Sequence, residues 1–167
     1  MAESLVASIR TANERDLPAM EWDGEYRRFR RLYQTALAEA EMGRRVILVA
    51  EVEGSMAGQI FIQLGTSMPI LSDGPSTGYL YAFRVRPPYR DRGIGTRLIQ
   101  VAESETRGRS YRYAAISAAK DNPRARTLYE RLGYGVVGED PGEWSYVDDQ
   151  GQLRSIREPA YILEKRL

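Results

Sequence analysis

The sequence predicts a single α/β domain, residues 1–167, because strand-like and helix-like segments alternate along the chain. The alternation is clearest in the middle third. There the β-rich run Gly78 to Val85 leads through a short turn into an amphipathic helical run, Thr96 to about Arg107. A second apolar strand begins at Tyr113, and a helix follows with Pro123 in its first turn, where a missing N–H does no harm. A chain of this length can bury a substantial core.

The first half of the chain adds further elements of the same two kinds. Glu25 to Met42 places apolar residues three and four positions apart, which predicts a helix. Arg45 to Glu53 and Gly58 to Leu64 predict two strands joined at the turn-forming trio Glu53-Gly54-Ser55. Gly65 to Gly78 is rich in Ser, Pro and Gly and predicts a loop between strands.

Composition excludes several classes of site. The chain has no Cys and no His, so disulfides, thiol nucleophiles, histidine triads and His- or Cys-ligated metals are excluded, and we expect no metal site. Lys plus Arg is 24 against 23 for Asp plus Glu, and this balance argues against a nucleic-acid partner or an anionic membrane. No secretory leader or long apolar stretch is recognisable, so we expect a cytoplasmic protein that does not enter a membrane.

The turn between the first strand and its helix has the properties of a pyrophosphate cradle. Gly93 and Gly95 allow backbone to approach a ligand, and the following helix offers unpaired N–H groups at the positive end of its dipole. A dinucleotide fingerprint would need a third glycine where Leu98 stands, and no Gly-Lys-Ser/Thr tripeptide is present for a P-loop. The remaining pattern is Arg90-x-x-Gly93-x-Gly95.

A second motif lies about one helix and one strand further on. It begins at Asn122, continues through Ala125, Leu128 and Tyr129 on one helical face, and ends at Gly133, where a C-terminal cap belongs. In this order and spacing the two motifs resemble those of the GNAT superfamily of N-acetyltransferases. The resemblance implies a twisted, mixed, mostly antiparallel sheet with helices on both faces.

The resemblance also implies how acetyl-coenzyme A (acetyl-CoA) would be held. In the family the pantetheine arm pairs with the fourth strand like an added strand, and one strand N–H polarises the thioester carbonyl. The pyrophosphate binds backbone amides of the turn, and a side-chain amide orients the co-substrate. The matching residues are Phe83, Arg84 and Val85 for the arm, Arg90, Asp91, Arg92, Gly93, Ile94, Gly95 and Thr96 for the pyrophosphate, and Asn122 for the amide.

Tyr129 falls where the family places a tyrosine whose hydroxyl points at the thioester sulfur. A phenol, with an ordinary pKa of about 10, is protonated at neutral pH and can give its proton to the departing thiolate. A tyrosine on the buried face of a short helix is also a common core residue. We predict that Tyr129 is the general acid and that Tyr134 serves packing.

The base that accepts the proton of the amine is not assigned by the sequence. Some relatives use a glutamate on the fourth strand and others one on the fifth, but Tyr79 and Ser117 stand at these positions. Glu51, Asp73 or a chain of waters are alternatives. The acids Glu21, Asp23 and Glu25 near the first long helix either draw a cationic acceptor or simply favour the helix dipole.

The family resemblance extends with less specificity to both ends of the chain. Ser8 to Arg10 resembles the opening strand, and Trp144 to Tyr146 with Ala160 to Leu163, on either side of Asp148 to Gly151, resembles a closing pair of strands. We predict direct transfer of the acetyl group from acetyl-CoA to a primary amine of a small molecule, a protein N-terminus or a lysine. The alternatives are a non-catalytic acyl-CoA-binding module and an unrelated nucleotide-binding α/β protein. Members of the family often form dimers, so we expect a homodimer.

Overall fold

A seven-stranded sheet forms the centre of the computed structural model, which describes residues 6–167. A two-stranded sheet and four α-helices accompany it in the described part of the chain. The strands are β1 Ser8–Thr11, β2 Arg45–Val52, β3 Ser55–Leu64, β4 Thr77–Val85, β5 Tyr113–Ala119, β6 Gly135–Asp140, β7 Glu143–Val147, β8 Leu153–Arg157 and β9 Ala160–Arg166. The helices are α1 Leu17–Met20, α2 Arg30–Glu41, α3 Ile94–Gly108 and α4 Pro123–Arg131.

The large sheet has the strand order β1-β2-β3-β4-β5-β9-β6. All neighbouring pairs are antiparallel except β4 and β5, which run parallel and are connected by α3. A parallel pair needs a crossover of this kind, whereas tight turns suffice for antiparallel pairs. The predicted fold class, a mixed and mostly antiparallel sheet, is therefore confirmed.

Helices cover both faces of the sheet, as the sequence predicted. On one face α3 contributes Leu98 and Ile99, and α4 contributes Tyr129, to a core that includes residues of β2 to β5. On the other face α2 contributes Tyr33 and Leu37 to a second core, where they join residues of β2 and β3. Each face buries one stripe of apolar residues, which is the usual way in which a sheet and its helices stabilise each other.

The first long helix begins later than the sequence predicted. Its apolar periodicity suggested a start near Glu25, but two short 3₁₀ turns, Trp22–Gly24 and Arg27–Phe29, precede α2. The backbone is not a regular helix between Glu25 and Arg30, because Tyr26 (φ −114°, ψ 22°) and Phe29 (φ −93°, ψ 7°) depart from helical values. The apolar stripe is nevertheless present, since Phe29 and Tyr33 both lie in the core.

The two predicted closing strands are both present, but they do not pair with each other. β7 pairs with β8 in a separate hairpin, and β9 inserts into the large sheet between β5 and β6. The turn of the hairpin is fixed by the buried Asp148, whose carboxylate accepts hydrogen bonds from the N–H groups of Gln150 and Gln152 and pairs with Arg154. The sequence of β8 has little alternation and is mostly exposed, so it gave no strand signal.

No helix among residues 6–167 combines the length and the apolar character needed to cross a membrane.

Candidate active site

A cleft opens where β4 and β5 separate. The two strands are paired from Thr77 opposite Tyr113 to Leu80 opposite Ile116, and beyond these residues the pairing stops. Ala82 has φ +48° and its bulge shifts the register of β3 against β4, which turns the end of β4 away from β5. The cleft between the two strand ends has a volume of about 620 Å³.

The bulge in β4 is held by the side chain of Gln59 on β3. Its Nε2 donates a hydrogen bond to the carbonyl of Ala82 at 3.2 Å, although the residue is completely buried. The Oε1 of Gln59 makes no hydrogen bond with any residue that the structure describes. A buried, unpaired polar atom lowers stability. The amide is therefore retained at a cost in stability, and its bond to Ala82 fixes the shape of β4 at the cleft.

Beyond the bulge, the side chains of β4 alternate between the two sides of the sheet. The ring of Phe83 lies 6.4 Å from that of Tyr129 on α4, on the side where α3 begins. Arg84 points the other way, donates to the hydroxyl of Tyr33 at 2.8 Å and lies over the ring of Tyr26. The backbone at Phe83 and Arg84 borders the cleft, but the Arg84 side chain lies on the α2 side of the sheet.

The turn after β4 ends at the start of α3 with free amide groups. Asp91 and Gly93 adopt left-handed conformations, with φ values of 60° and 86°, and α3 begins at Ile94. No side chain within the described residues caps this helix. The N–H groups of its first turn, from Ile94 to Thr96, therefore remain available to an anionic ligand.

Two charged side chains of the turn, those of Arg90 and Asp91, are bonded to neighbouring elements. Arg90 donates from Nε to the carbonyl of Val85 at 2.7 Å, so the turn folds back onto the end of β4. Asp91 forms an ion pair with Arg124 at the start of α4 at 3.0 Å, and both side chains are exposed to solvent. Ile94 contributes only its backbone, since its side chain is buried in the core.

The two glycines of the turn serve different physical purposes. Gly93 needs its left-handed backbone, and a Cβ added there would find open space. At Gly95 a Cβ would lie 3.0 Å from the ring of Phe83, so this position is restricted by packing. The sequence analysis proposed close approach of a ligand for both, and the contact of Gly95 with Phe83 was not foreseen.

Asn122 lies at the cleft and begins α4. Its Oδ1 accepts a hydrogen bond from the N–H of Ala125 at 3.2 Å and so caps the helix. The capping bond engages the oxygen, which leaves the Nδ2 group as the donor that can face a ligand. The prediction that Asn122 orients the co-substrate is untested by this geometry, but a structural role as a cap is established.

Tyr129 lies on α4 and borders the cleft with 6% of its surface exposed. Burial, with a smaller contribution from neighbouring Tyr79, raises the pKa of Tyr129 to about 12. The phenol is therefore protonated at neutral pH. Tyr134 agrees with its predicted packing role, because its hydroxyl donates to the buried Glu103 at 2.7 Å, away from the cleft.

Tyr79 and Ser117 face each other across β4 and β5 at the closed end of the cleft. Their hydroxyl groups are hydrogen-bonded to each other, and burial raises the pKa of Tyr79. Two of the alternative bases are poorly placed, since neither borders the cleft. Glu51 pairs with Arg10, and Asp73 with Arg112.

Acidic residues near the first helix lie elsewhere as well. Glu21 pairs with Arg30, and Asp23 pairs with Arg86, in a depression separate from the cleft. The sequence suggested these acids as a possible attraction for a cationic acceptor. Their ion pairs favour the simpler interpretation, a structural role around the 3₁₀ turns that precede α2.

Sequence reasoning missed four residues at the mouth of the cleft. Asp140 ends β6, Glu143 and Trp144 begin β7, Glu158 follows β8, and all four border the cleft. The signal available was the turn-forming Pro141-Gly142 pair next to these acids. Their approach to β4 depends on how the hairpin packs, which local sequence does not specify.

Comparison with known proteins identifies the class to which this architecture belongs. The chain is a member of the GNAT acetyltransferase family, whose model matches residues 7–134, and it is an acyltransferase. The resemblance inferred from the two motifs is thereby confirmed. A curated relative, the 5-NmdU N-acetyltransferase of Pseudomonas phage PaMx11, is 31% identical over 105 residues, which cover 63% of this chain and 68% of the relative.

Solved structures of several N-acetyltransferases share the fold. The ribosomal-protein-S18-alanine N-acetyltransferase of Escherichia coli has a TM-score of 0.71 at 20% identity, and covers 96% of this chain and 94% of its own. The PaiA N-acetyltransferase of Thermoplasma acidophilum, in complex with coenzyme A, has a TM-score of 0.71 at 14% identity, with coverage of 98% and 100%. An N-acetyltransferase of Staphylococcus aureus Mu50 reaches 0.73 at 18% identity, with coverage of 96% and 98%.

Proposed function

We propose that this protein transfers the acetyl group of acetyl-CoA directly to a primary amine. The observation that carries the proposal is the cleft between β4 and β5, which Tyr129 borders, together with the uncapped amides of α3 that follow the end of β4 along the chain. In the reaction the nitrogen of the neutral amine forms a bond to the thioester carbonyl carbon and loses one proton, the C–S bond breaks, and the departing thiolate takes up one proton. The chain contains no Cys, so no thiol of the protein carries the acetyl group.

The turn and the strand end provide two kinds of backbone contact for acetyl-CoA. Amides from Gly93 to Thr96 suit the pyrophosphate, because they are uncapped and lie at the positive end of the 15-residue helix α3. The unpaired edge from Phe83 to Val85 suits the pantetheine arm, which can add to it as a strand would. Arg90 positions the turn through its bond to Val85.

Tyr129 is the candidate general acid. Its phenol borders the cleft, and burial keeps it protonated far above neutral pH. A hydroxyl in this state can donate a hydrogen bond to the sulfur as negative charge develops there, and can then give up its proton. The raised pKa makes this phenol a weaker acid than free tyrosine, so its main expected contribution is the hydrogen bond that stabilises the departing thiolate.

A second candidate function is an acyl-CoA-binding module without turnover. The pair Tyr79 and Ser117 favours it, because two hydroxyl groups replace the glutamates that some relatives use as a base. This module would bind acetyl-CoA in the same cleft and acetylate no amine.

Release of coenzyme A in the presence of amines distinguishes the two functions. The purified protein is mixed with acetyl-CoA and a panel of amines that includes alkylamines, arylalkylamines, peptides with free N-termini and 5-NmdU, the acceptor in the name of the phage relative. A thiol reagent follows the reaction, and a protein without Cys gives no background. Amine-dependent thiol release supports transfer. Binding of acetyl-CoA with no release for any amine would instead support the module.

A further inference from the structure

Aromatic side chains line the part of the cleft that lies towards α2. We call Phe29, Tyr33, Tyr79, Tyr81 and Trp144 the aromatic wall. Its members are close to one another: the centroids of Tyr79 and Tyr81 are 6.2 Å apart with rings 24° from parallel, and those of Phe29 and Trp144 are 6.2 Å apart at 27°. Roughly parallel rings at this spacing form flat surfaces on which another ring can stack.

Trp144 gives the aromatic wall its exposed outer end. The side chain lies on β7, outside the large sheet, and 41% of its surface is accessible, whereas Trp22 is 4% accessible. A large aromatic side chain held half-exposed at the mouth of a cleft, in contact with Phe29 and Tyr146, is well placed to complete its burial against a ligand.

Carboxylates surround the same entrance. Asp140, Glu143 and Glu158 border the cleft, and their ion pairing is weak: Glu143 meets Arg157 at 3.6 Å, and Asp140 accepts a hydrogen bond from the N–H of Gly142 at 2.7 Å. Asp140 is also close enough to Tyr79 for its charge to favour the neutral phenol. A protonated amine is therefore attracted to this side of the cleft.

The two cations that border the cleft are already engaged. Arg45 pairs with Glu39 and donates to the hydroxyl of Tyr81, and Arg84 donates to Tyr33 and stacks on Tyr26. Arg84 keeps its charge, because both of its partners are neutral, but Arg45 is neutralised by Glu39 and three carboxylates border the cleft. The balance of charge is therefore negative, which matches an ammonium group and opposes a carboxylate.

From these observations we infer that the acceptor is an arylalkylamine, in which an alkyl chain joins a primary amino group to an aromatic ring. Its ring stacks on the aromatic wall against Trp144, and its amino group lies between Asp140 and the Tyr79–Ser117 pair. The inference rests on the proposed acetyl transfer, and it names the substrate class. Purely aliphatic amines would leave the wall uncovered, and aromatic acids would place a negative charge among the carboxylates.

Fluorescence measures this binding without turnover. The chain has two tryptophans, so the Trp22→Phe variant reports Trp144 alone and the Trp144→Phe variant reports Trp22 alone. Each protein is saturated with coenzyme A and titrated with phenethylamine, 2-cyclohexylethylamine of similar size, and 3-phenylpropionate. We expect phenethylamine to change the emission of Trp144 at concentrations at least about tenfold lower than the other two probes, and to leave Trp22 unchanged. Equal binding of the cyclohexyl amine, or tighter binding of the acid, would overturn the inference.

Steady-state kinetics of a Trp144 variant provides a second test. Trp144→Ala is expected to raise the KM of phenethylamine about tenfold, because stacking and burial of the ring are lost, while the KM of acetyl-CoA stays within about twofold. Leu153→Ala is the matched control, since Leu153 is 72% exposed on the same hairpin and does not border the cleft. An unchanged KM in Trp144→Ala would contradict the inference.

Failure of the inference is distinguishable from failure of the proposed function. If acetyl-CoA binds and alkylamines or peptides are acetylated faster than arylalkylamines, acetyl transfer stands and the aromatic acceptor class is wrong. If no amine is acetylated, the proposed transfer itself fails, and the fluorescence titration still decides whether the aromatic wall binds a ring.

Discussion

The structure assigns Gln59 a role at the β4 bulge that the sequence did not predict. It is a fully buried amide among the apolar residues of β3, and it holds the carbonyl of Ala82 at the bulge. The bulge determines where β4 leaves β5 and how its backbone faces the cleft. The side-chain oxygen of Gln59 has no hydrogen-bond partner among the described residues, which lowers the stability of the fold. A methionine of similar size would not carry this cost.

Replacing Gln59 by Met should reduce kcat about tenfold, with the KM of acetyl-CoA changed less than about twofold, because small displacements at a reacting centre slow chemistry more than they weaken binding. Gln63→Met is the matched control, since Gln63 lies on the same strand and its amide contacts Gly65, away from the bulge. Steady-state kinetics of the three proteins checks this, and equal losses in both variants would contradict a positioning role for Gln59.

Tyr129 gives a direct test of the proposed acid. Tyr129→Phe keeps the ring in the core and removes the hydroxyl, so we expect kcat to fall about 100-fold while the affinity for acetyl-CoA changes little. Tyr113→Phe, a half-buried tyrosine at the far end of β5, serves as the control. Turnover of Tyr129→Phe equal to that of the control would return Tyr129 to a purely structural role.

The raised pKa of Tyr129 also predicts how stability changes at alkaline pH. The folded pKa, about 12, lies above the ordinary value of 10, so the folded state holds this proton more tightly than the unfolded state does. The resulting stabilisation is complete below pH 10 and is lost as the pH rises towards 12, by about 3 kcal/mol at most. Urea unfolding between pH 9 and about 12 should therefore show a smaller loss of stability for Tyr129→Phe than for the unmodified chain. Identical pH dependence would contradict it.

At the scale of single residues, the sequence predicted the positions whose chemistry is local. Asn122 begins α4, and Tyr129 lies on its buried face. It could not predict Gln59, since an isolated amide in an apolar run carries no local pattern. Nor could it predict Asp140 or Trp144 at the cleft, because their position depends on contacts between elements far apart in the chain.

At the scale of the elements, β4, the turn after it and α3 form the unit proposed to bind acetyl-CoA. Gly95→Glu should abolish the binding of coenzyme A, because a side chain at this position meets the ring of Phe83 and brings a negative charge to the uncapped amides. Gly108→Ala, at the other end of α3 where a Cβ finds open space, should retain binding and be at least as stable. The rise in melting temperature on adding coenzyme A measures binding by both variants. A rise in Gly95→Glu as large as in the unmodified protein would contradict the assignment of this turn to the pyrophosphate.

Elements were predicted well where amphipathic periodicity is strong and poorly where it is weak. β4, α3 and α4 were located within a few residues, because each buries a continuous apolar stripe. The hairpin was mispaired because β8 is mostly exposed and has no buried face to reveal its period. The start of α2 was missed because the backbone at Tyr26 and Phe29 departs from a regular helix while the apolar spacing continues.

At the scale of the whole molecule, the fold brings two different surfaces to one cleft. The end of β4 and the uncapped first turn of α3 form the surface proposed for acetyl-CoA, and the aromatic wall with its carboxylates lines the part of the cleft proposed for the amine. The first surface was predicted from the sequence, because the two motifs that suggest it lie within about fifty residues of each other in the chain. The second surface is assembled from α2, β4 and the hairpin, and only the folded chain reveals it.

The measurement that tests the account most directly is a thermal melt with and without saturating acetyl-CoA, with ATP and NAD as controls. A ligand that binds only the folded state, at about one hundred times its Kd, adds about 2.7 kcal/mol of stability. For a domain of this size we expect the melting temperature to rise by roughly 5–11 °C with acetyl-CoA and by much less with either control. No rise, or an equal rise with ATP, would contradict the assignment of the cleft to acetyl-CoA.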